Sequence, residues 1–374
     1  MRTQPISRVF FVLYLLLLTS IASFSQKPAP TATPKIADDE GVIKVDSRLV
    51  VVPVSVTDAN GQPVQGLKVE DFRVNEEGRP QKLDSVLPAD AVPLEIALLF
   101  DISATTYSLF KFEQDTASQF LKDVMKPNDK ATIFTIGAKA TLVQPRDTAE
   151  RSIASIQTIA PTKEYTAFYD SVAAAAEYLK ANAPETSRRV VVVISDGDDT
   201  NSTRIAEAIQ KGYKQVGEKI NTMDNKTLLQ LTTASRNEAS VAERARISKE
   251  LQDADTVFYS INPTGSGIEL SKNGMFGQAN MQAFATQTGG TAFLPKFGQT
   301  DTKDTLANDS NVRKNQAALD QIFKQIASEL RAQYLVQYYP ETEYAPGKFV
   351  KLDVGLAHPT GRKVRAREGY YFKK

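Results

Sequence analysis

At 374 residues, 41% hydrophobic and 24% charged, the chain is long enough for two domains and has an ordinary soluble, globular composition. Lys+Arg 45 against Asp+Glu 44 leaves a formal charge of +1, which argues against nucleic acid or an anionic membrane surface as the main partner. With no cysteine there are no disulfides, lipid-attachment cysteines or thiolate metal sites, and one histidine (His358) argues against a catalytic triad or a multi-histidine zinc site.

Residues 1–25 have the layout of an export signal: Arg2 and Arg8 precede the apolar run Val9–Leu18, and Ser23 and Ser25 mark cleavage near Gln26. The run is shorter than the ~20 residues a spanning helix needs, so cleavage is expected instead of anchoring. The mature protein is expected to be secreted or periplasmic, in a bacterium, with no stable membrane insertion. Residues 26–41, rich in Pro, Ala, Thr and acidic side chains, read as a disordered leader.

Residues 42–90 read as a small β module. Leu49–Thr57 has strong β composition, with Pro53 marking an edge position or a bulge; short strands follow around Asp71–Asn75 and Gln81–Val86. Roughly forty residues make a poor core alone. The tail, 334–374, is again β-rich at Tyr334–Tyr339, Phe349–Leu356 and Lys363–Phe372, and is expected to pair with 42–90. A free-standing tail hairpin is the alternative.

Between them, residues 92–333 alternate strands and helices. Leu94–Asp101 and Arg189–Ser195 are continuous apolar runs, as central parallel strands buried on both faces require. Leu109, Phe112, Ala117, Phe120, Leu121 and Val124 predict an amphipathic helix over Tyr107–Met125. Further helices are expected over Thr148–Ile159, Phe168–Asn182, Asn280–Thr288 and Gln316–Gln333, with Gly298–Val312 as a polar loop. The polar stretch 203–253 is longer than a crossover helix needs, so a helical insertion, partly projecting, is expected. The pattern predicts the α/β class: a doubly wound, mostly parallel sheet with a small β-sandwich-like module.

Ligands of open α/β sheets bind outside the carboxyl ends of the strands. There the sequence offers oxygen ligands on three loops: Asp101-Ile-Ser103-Ala-Thr105, Tyr165-Thr166 before the helix that contains Asp170, and Asp196-Gly197. An all-oxygen set of carboxylates and hydroxyls suits a hard cation such as Mg2+. These motifs resemble the von Willebrand factor type A domain and its metal-ion-dependent adhesion site, whose first motif is Asp-x-Ser-x-Ser with a Thr and an Asp on later loops. Asp101, Ser103, Thr105, Thr166 and Asp196 fall on those positions, Thr105 replacing the second serine while keeping a hydroxyl. The segments Asp58-Ala-Asn-Gly61 and Arg365-Ala-Arg-Glu-Gly369 resemble a secreted type A-related family of acidobacteria.

The resemblance implies a non-enzymatic adhesion or binding protein. Asp101, Ser103, Thr105 and Thr166 would ligate Mg2+ (Mn2+ or Ca2+ being alternatives) directly or through water, and Asp196 would orient a bound water. An open position on the ion would take a carboxylate from a protein or peptide partner. A structural protein of the cell envelope, its ion only stabilising, is the competing reading. Enzymatic readings are weaker. Asp101-Ile-Ser103 lacks the second aspartate of aspartyl phosphatases, Ser108-Leu-Phe-Lys111 lacks a Lys-Thr-Gly companion, and no general base is evident for metal-assisted hydrolysis. Asp198 and Asp199 are read as solvated loop residues, with an acidic rim as the alternative. Lys211, Lys214 and Lys219 read as the solvent face of the insertion. Tyr165 and Phe168 either line the binding surface or pack beneath it.

Overall fold

The computed structural model describes residues 49–103, 110–162, 164–217, 222–265, 272–298, 303, 305–359 and 361–373. The expected export signal, the leader, Thr105, Ser108 and Lys219 lie outside the described residues.

The chain begins with β1 (Val50–Thr57), β2 (Phe72–Glu76), β3 (Arg79–Pro80) and β4 (Leu83–Pro88). The α/β body follows with β5 (Leu94–Asp101), α1 (Phe110–Val124), β6 (Lys130–Ile136), β7 (Ala140–Asp147), α2 (Ala149–Ile156), α3 (Phe168–Asn182) and β8 (Arg188–Ile194). It continues through α4 (Thr203–Val216), α5 (Asn225–Asp253), β9 (Thr256–Ile261), α6 (Lys272–Thr288), β10 (Ala292–Phe293) and α7 (Thr305–Ala332). The tail adds β11 (Tyr334–Tyr338), β12 (Phe349–Leu356), β13 (Lys363–Ala366) and β14 (Gly369–Tyr371).

The body is a six-stranded sheet in the order β10-β9-β8-β5-β6-β7, parallel except for β7, which runs antiparallel at the edge. This is the order in which a doubly wound sheet reverses direction beside its first strand, here β5. Every residue of β5 is buried, and alternation sends its side chains to opposite faces. Leu94, Ile96, Leu98 and Phe100 pack with Ala117, Phe120 and Leu121 of α1 and with Leu319 and Phe323 of α7. Ala97 and Leu99 pack with Phe168 and Val172 of α3, Ile247 and Leu251 of α5 and Phe284 of α6. Two-sided burial is why β5 and β8 lack the polar alternation of a half-exposed strand.

The strands at the two ends of the chain pair with each other. One sheet runs β13-β1-β11-β4 and the other β14-β12-β2-β3, all antiparallel. Val52, Val54, Val74, Val336, Val350 and Leu352 form their shared core. Pro53 pairs with Leu335 of β11, while the β13 ladder on the other side starts only at Val54. The missing proline N–H thus falls where β1 has no second neighbour.

Two helices start earlier than apolar periodicity predicts. α6 begins at Lys272, not Asn280, and α7 begins at Thr305, inside the stretch read as a polar loop. The first turns of α7 are polar or exposed, with Leu306 turned to solvent, so they carry no apolar stripe. A helix propagates cheaply from a packed segment once nucleated. In α6 Gly277, which lowers helix propensity, is needed by the neighbouring loop, as shown below. α4 and α5 form a helical hairpin with Gly212 against Ser235. Only from Ser240 onward are described α5 side chains fully buried. No helix among the described residues is long and apolar enough to cross a membrane.

Candidate functional site

Asp101 is the last residue of β5, in register with Ile136 of β6, and is completely buried. Its Oδ1 accepts the backbone N–H of Ser103 at 3.0 Å and its Oδ2 accepts the Ser195 hydroxyl at 2.6 Å. Ser195 Oγ in turn accepts Gly197 N–H at 3.0 Å, so the carboxyl ends of β5 and β8 are fastened by one carboxylate and one hydroxyl. Asp196 follows immediately, half-buried, its Oδ1 accepting Asp198 N–H at 3.0 Å.

The third loop is bound to the second through its backbone. Thr166 N–H donates to Thr200 Oγ1 at 3.0 Å, and Thr166 O accepts the N–H groups of Thr200 and Asn201 at 2.9 and 3.0 Å. Gly137 O accepts Ala167 N–H at 2.7 Å, and Ile136 O accepts Ile102 N–H at 3.1 Å, which brings in the β6–β7 turn. Thr166 and Ser103 are both nearly buried. The structure thus brings Asp101, Ser103, Thr166 and Asp196 to one end of the sheet on three hydrogen-bonded loops.

The neighbouring acids have other work. Asp199 is not a solvated loop residue: it is buried, its Oδ2 accepting Tyr169 N–H at 2.8 Å and its Oδ1 accepting Ser202 N–H at 2.9 Å. It therefore supplies one of the otherwise orphaned amides at the start of α3 with an acceptor. Asp170 does the same for α4, accepting Thr203 N–H and its hydroxyl at 2.8 and 2.9 Å. Asp198, half-buried, forms an ion pair with Arg236 of α5 at 3.3 Å. Phe168 is a core residue, whereas Tyr165, beside Thr166, is 70% exposed.

Gly197 explains why α6 contains glycine. It has a left-handed φ of +74°, and a Cβ on Gly277 of α6 would lie 2.5 Å from Gly197 C and 2.6 Å from Asp196 O. Only a glycine in α6 lets the helix lie against the backbone of the Asp196 loop.

Electrostatically this end is strained. Burial, and then the charge of Asp196, push the Asp101 carboxyl up to about 6, against the opposing pull of the Ser195 and Ser103 hydrogen bonds. Burial likewise raises Asp199 to about 6. Glu113, in the first turn of α1, is completely buried and neither carboxylate oxygen has a hydrogen-bond partner. Burial, followed by the charge of Asp101, holds it well above the usual carboxylate range. Sequence reading passes over Glu113 because a charged residue is assigned by default to the solvent face. Its spacing of three from Phe110 and four from Ala117 was the available signal.

The donor set fits a divalent ion: two carboxylates and neutral hydroxyls, all oxygen, with like charges that a cation would relieve. Among the described residues no three acidic or histidine side chains form a cage by themselves, so hydroxyls and water would have to complete the coordination. Asp101, Ser103, Thr166 and Asp196 are the residues that would hold it.

A mostly parallel sheet with one antiparallel edge strand, and acid-hydroxyl loops at its carboxyl end, defines the class as a doubly wound α/β fold with its candidate site where such sheets bind ligands. No protein-family model matches the chain, and no curated protein is similar to it in sequence. Among solved structures, BatB from Bacteroides thetaiotaomicron is similar at 14% identity, over 63% of this chain and 98% of that one, with a TM-score of 0.36. The SpRpn10 VWA domain is similar at 12% identity, over 58% and 93%, with a TM-score of 0.36. Proximal thread matrix protein 1 from the mussel byssus, with a zinc-occupied MIDAS motif, is similar at 12% identity, over 69% and 50%, with a TM-score of 0.39. Likeness at this level says nothing about ligand or partner.

Proposed function

We propose that this protein is a non-enzymatic binding protein that holds a divalent cation, Mg2+ by the chemistry of its donors, and recognises an acidic group of a protein partner through it. The observation that carries the reading is the convergence of Asp101, Ser103, Thr166 and Asp196 on three loops tied together at the carboxyl end of the sheet. Two carboxylates and neutral hydroxyls leave a divalent ion roughly neutralised yet electrophilic, and an open position would favour a carboxylate from outside. The exposed Tyr165 beside Thr166 offers the partner an aromatic contact. Residues 1–25 support an exported protein, and the flanking segments support kinship with the secreted acidobacterial type A-related family.

Calorimetric titration of chelator-stripped protein with Mg2+ and Mn2+ tests the site. The expected result is saturable binding that an Asp101→Ala, Ser103→Ala double variant loses; equal binding by the variant overturns the reading. Pull-down from cell-envelope extract, with cation and with chelator, tests recognition. Binding of the ion with no cation-dependent partner would favour the purely stabilising role.

A further inference from the structure

One buried charge at the carboxyl end of the sheet has no role in the site as described. Glu113 lies on the inward face of α1, among the buried residues Phe110, Gln114 and Ala117. Phe110 stacks edge-on against Phe100 of β5 with ring centroids 6.4 Å apart, so this turn of the helix sits over the end of the strand that carries Asp101. An apolar side chain at 113 would continue the stripe. A carboxyl group removed from water without a hydrogen-bond partner on either oxygen is instead destabilising, even when it neutralises itself by taking a proton. The charge acting on it is Asp101, which is of like sign and also buried. Nothing among the described residues offsets that penalty.

We propose that Glu113 is a positioning residue of the cation site: a buried carboxyl group on the turn of α1 over the strand end that carries Asp101, which strengthens divalent-ion binding without ligating the ion. The proposal rests on the reading of the three loops as a cation site. Glu113 acts through Asp101, since no three acidic groups among the described residues are arranged to hold an ion together. In a low-dielectric interior, a carboxylate beyond the first layer still attracts a doubly charged ion strongly, and the ion relieves the repulsion between Glu113 and Asp101. The ion is the partner this side chain lacks. Its binding also stabilises a fold that without it carries a buried carboxyl lacking a hydrogen-bond partner.

Glu113→Gln keeps the shape and removes the charge; Glu113→Leu guards against an amide that is itself unpartnered. Mn2+ affinity is measured by calorimetry, and metal-free stability by urea unfolding in chelator, for both variants, Asp101→Asn and the wild type. The expected result is Mn2+ binding at least about tenfold weaker in both Glu113 variants, the loss typical of residues that support metal ligands. In chelator, Glu113→Leu should unfold at or above the wild-type urea midpoint. Wild-type Mn2+ affinity in either folded variant overturns the role of Glu113, as does failure of both variants to fold, which would mark the charge as a requirement of the metal-free core. If Asp101→Asn loses Mn2+ while both Glu113 variants retain it, only this proposal fails. If the wild type binds no Mn2+, the cation-site reading fails first.

Discussion

The two ends of the parallel sheet handle buried charge in opposite ways. At the amino end, where the body meets the β module, the buried acids Glu95, Asp129 and Glu329 each have a partner. Glu95, at the start of β5, is gripped by Arg146 through Nε and Nη2 at 2.6–2.9 Å. Asp129 accepts the N–H groups of Leu94 and Lys126, both at 2.7 Å. Even the exposed Asp255, just before β9, pairs with Arg367, which also reaches Val51 O. Glu329 of α7 and Arg365 of β13 approach to 2.6 Å, though without the angle of a hydrogen bond, so the pair is ionic in character. At the carboxyl end, Asp101 receives neutral donors, its pKa rises to about 6, and neither oxygen of Glu113 has a hydrogen-bond partner among the described residues. Buried acids with partners inside the chain hold the fold together. Glu113, buried with no hydrogen-bond partner on either oxygen among the described residues, is where the proposed cation would supply what the chain does not.

The largest expected effect comes from breaking a pair at the amino end. Arg146→Ala leaves Glu95, only 1% exposed, as a buried charge without its arginine. It should cost about 3–5 kcal/mol in urea unfolding. A loss under about 1 kcal/mol would mean that Glu95 is not stabilised by this pair, and the contrast between the two ends would weaken.

Next is the pH dependence at the carboxyl end. The folded-state pKa of Asp101 is raised from 3.8 to about 6. Protonated Asp101 therefore contributes stability fully below about pH 4, and that contribution is lost as the pH rises through 6. About two pKa units correspond to ~3 kcal/mol, an upper figure for one buried group. Asp101→Asn carries no charge at any pH. In chelator it should be the more stable protein near pH 7, with the difference shrinking toward pH 4 in parallel denaturation curves. A difference that stays flat across that range removes Asp101 as its source. With Mg2+ at about a thousand times Kd the order should reverse, because only the wild type gains the stabilisation of a bound ion, about 4.1 kcal/mol at that concentration.

Smaller effects test how the loops are held. Gly277→Ala would drive a methyl into the backbone of Gly197 and Asp196, and should cost about 1–3 kcal/mol while weakening the cation affinity of the displaced loop. Unchanged stability and affinity would show that α6 does not position the site. Arg236→Gln removes a half-buried partner of Asp198 and should cost under about 1 kcal/mol. Its use is diagnostic: a large loss of cation binding with little loss of stability would show that the helical hairpin controls the Asp196 loop.

Much of the fold is legible because burial leaves a local mark. The unbroken apolar runs of β5 and β8 announce strands covered on both faces, and the sheet has them side by side at its centre. The missed helix starts have the opposite cause. The first turns of α7 face solvent and those of α6 contain glycine, so neither shows an apolar period. At the site, Asp101 and Ser103 stand close enough in sequence to be read as one motif. The capping roles of Asp199 and Asp170 could not be read that way, because each acts on a helix some thirty residues away.

What the sequence determined by itself is which segments are buried and where acids and hydroxyls end them, because those depend on composition over a few neighbours. What only the tertiary structure decided is which charges have partners. Glu95 and Glu113 are both acids embedded in apolar patterns, and nothing local separates them. Folding set Arg146 against the first and no donor against the second, since charge pairing acts through space between segments that the order of residues does not bring together.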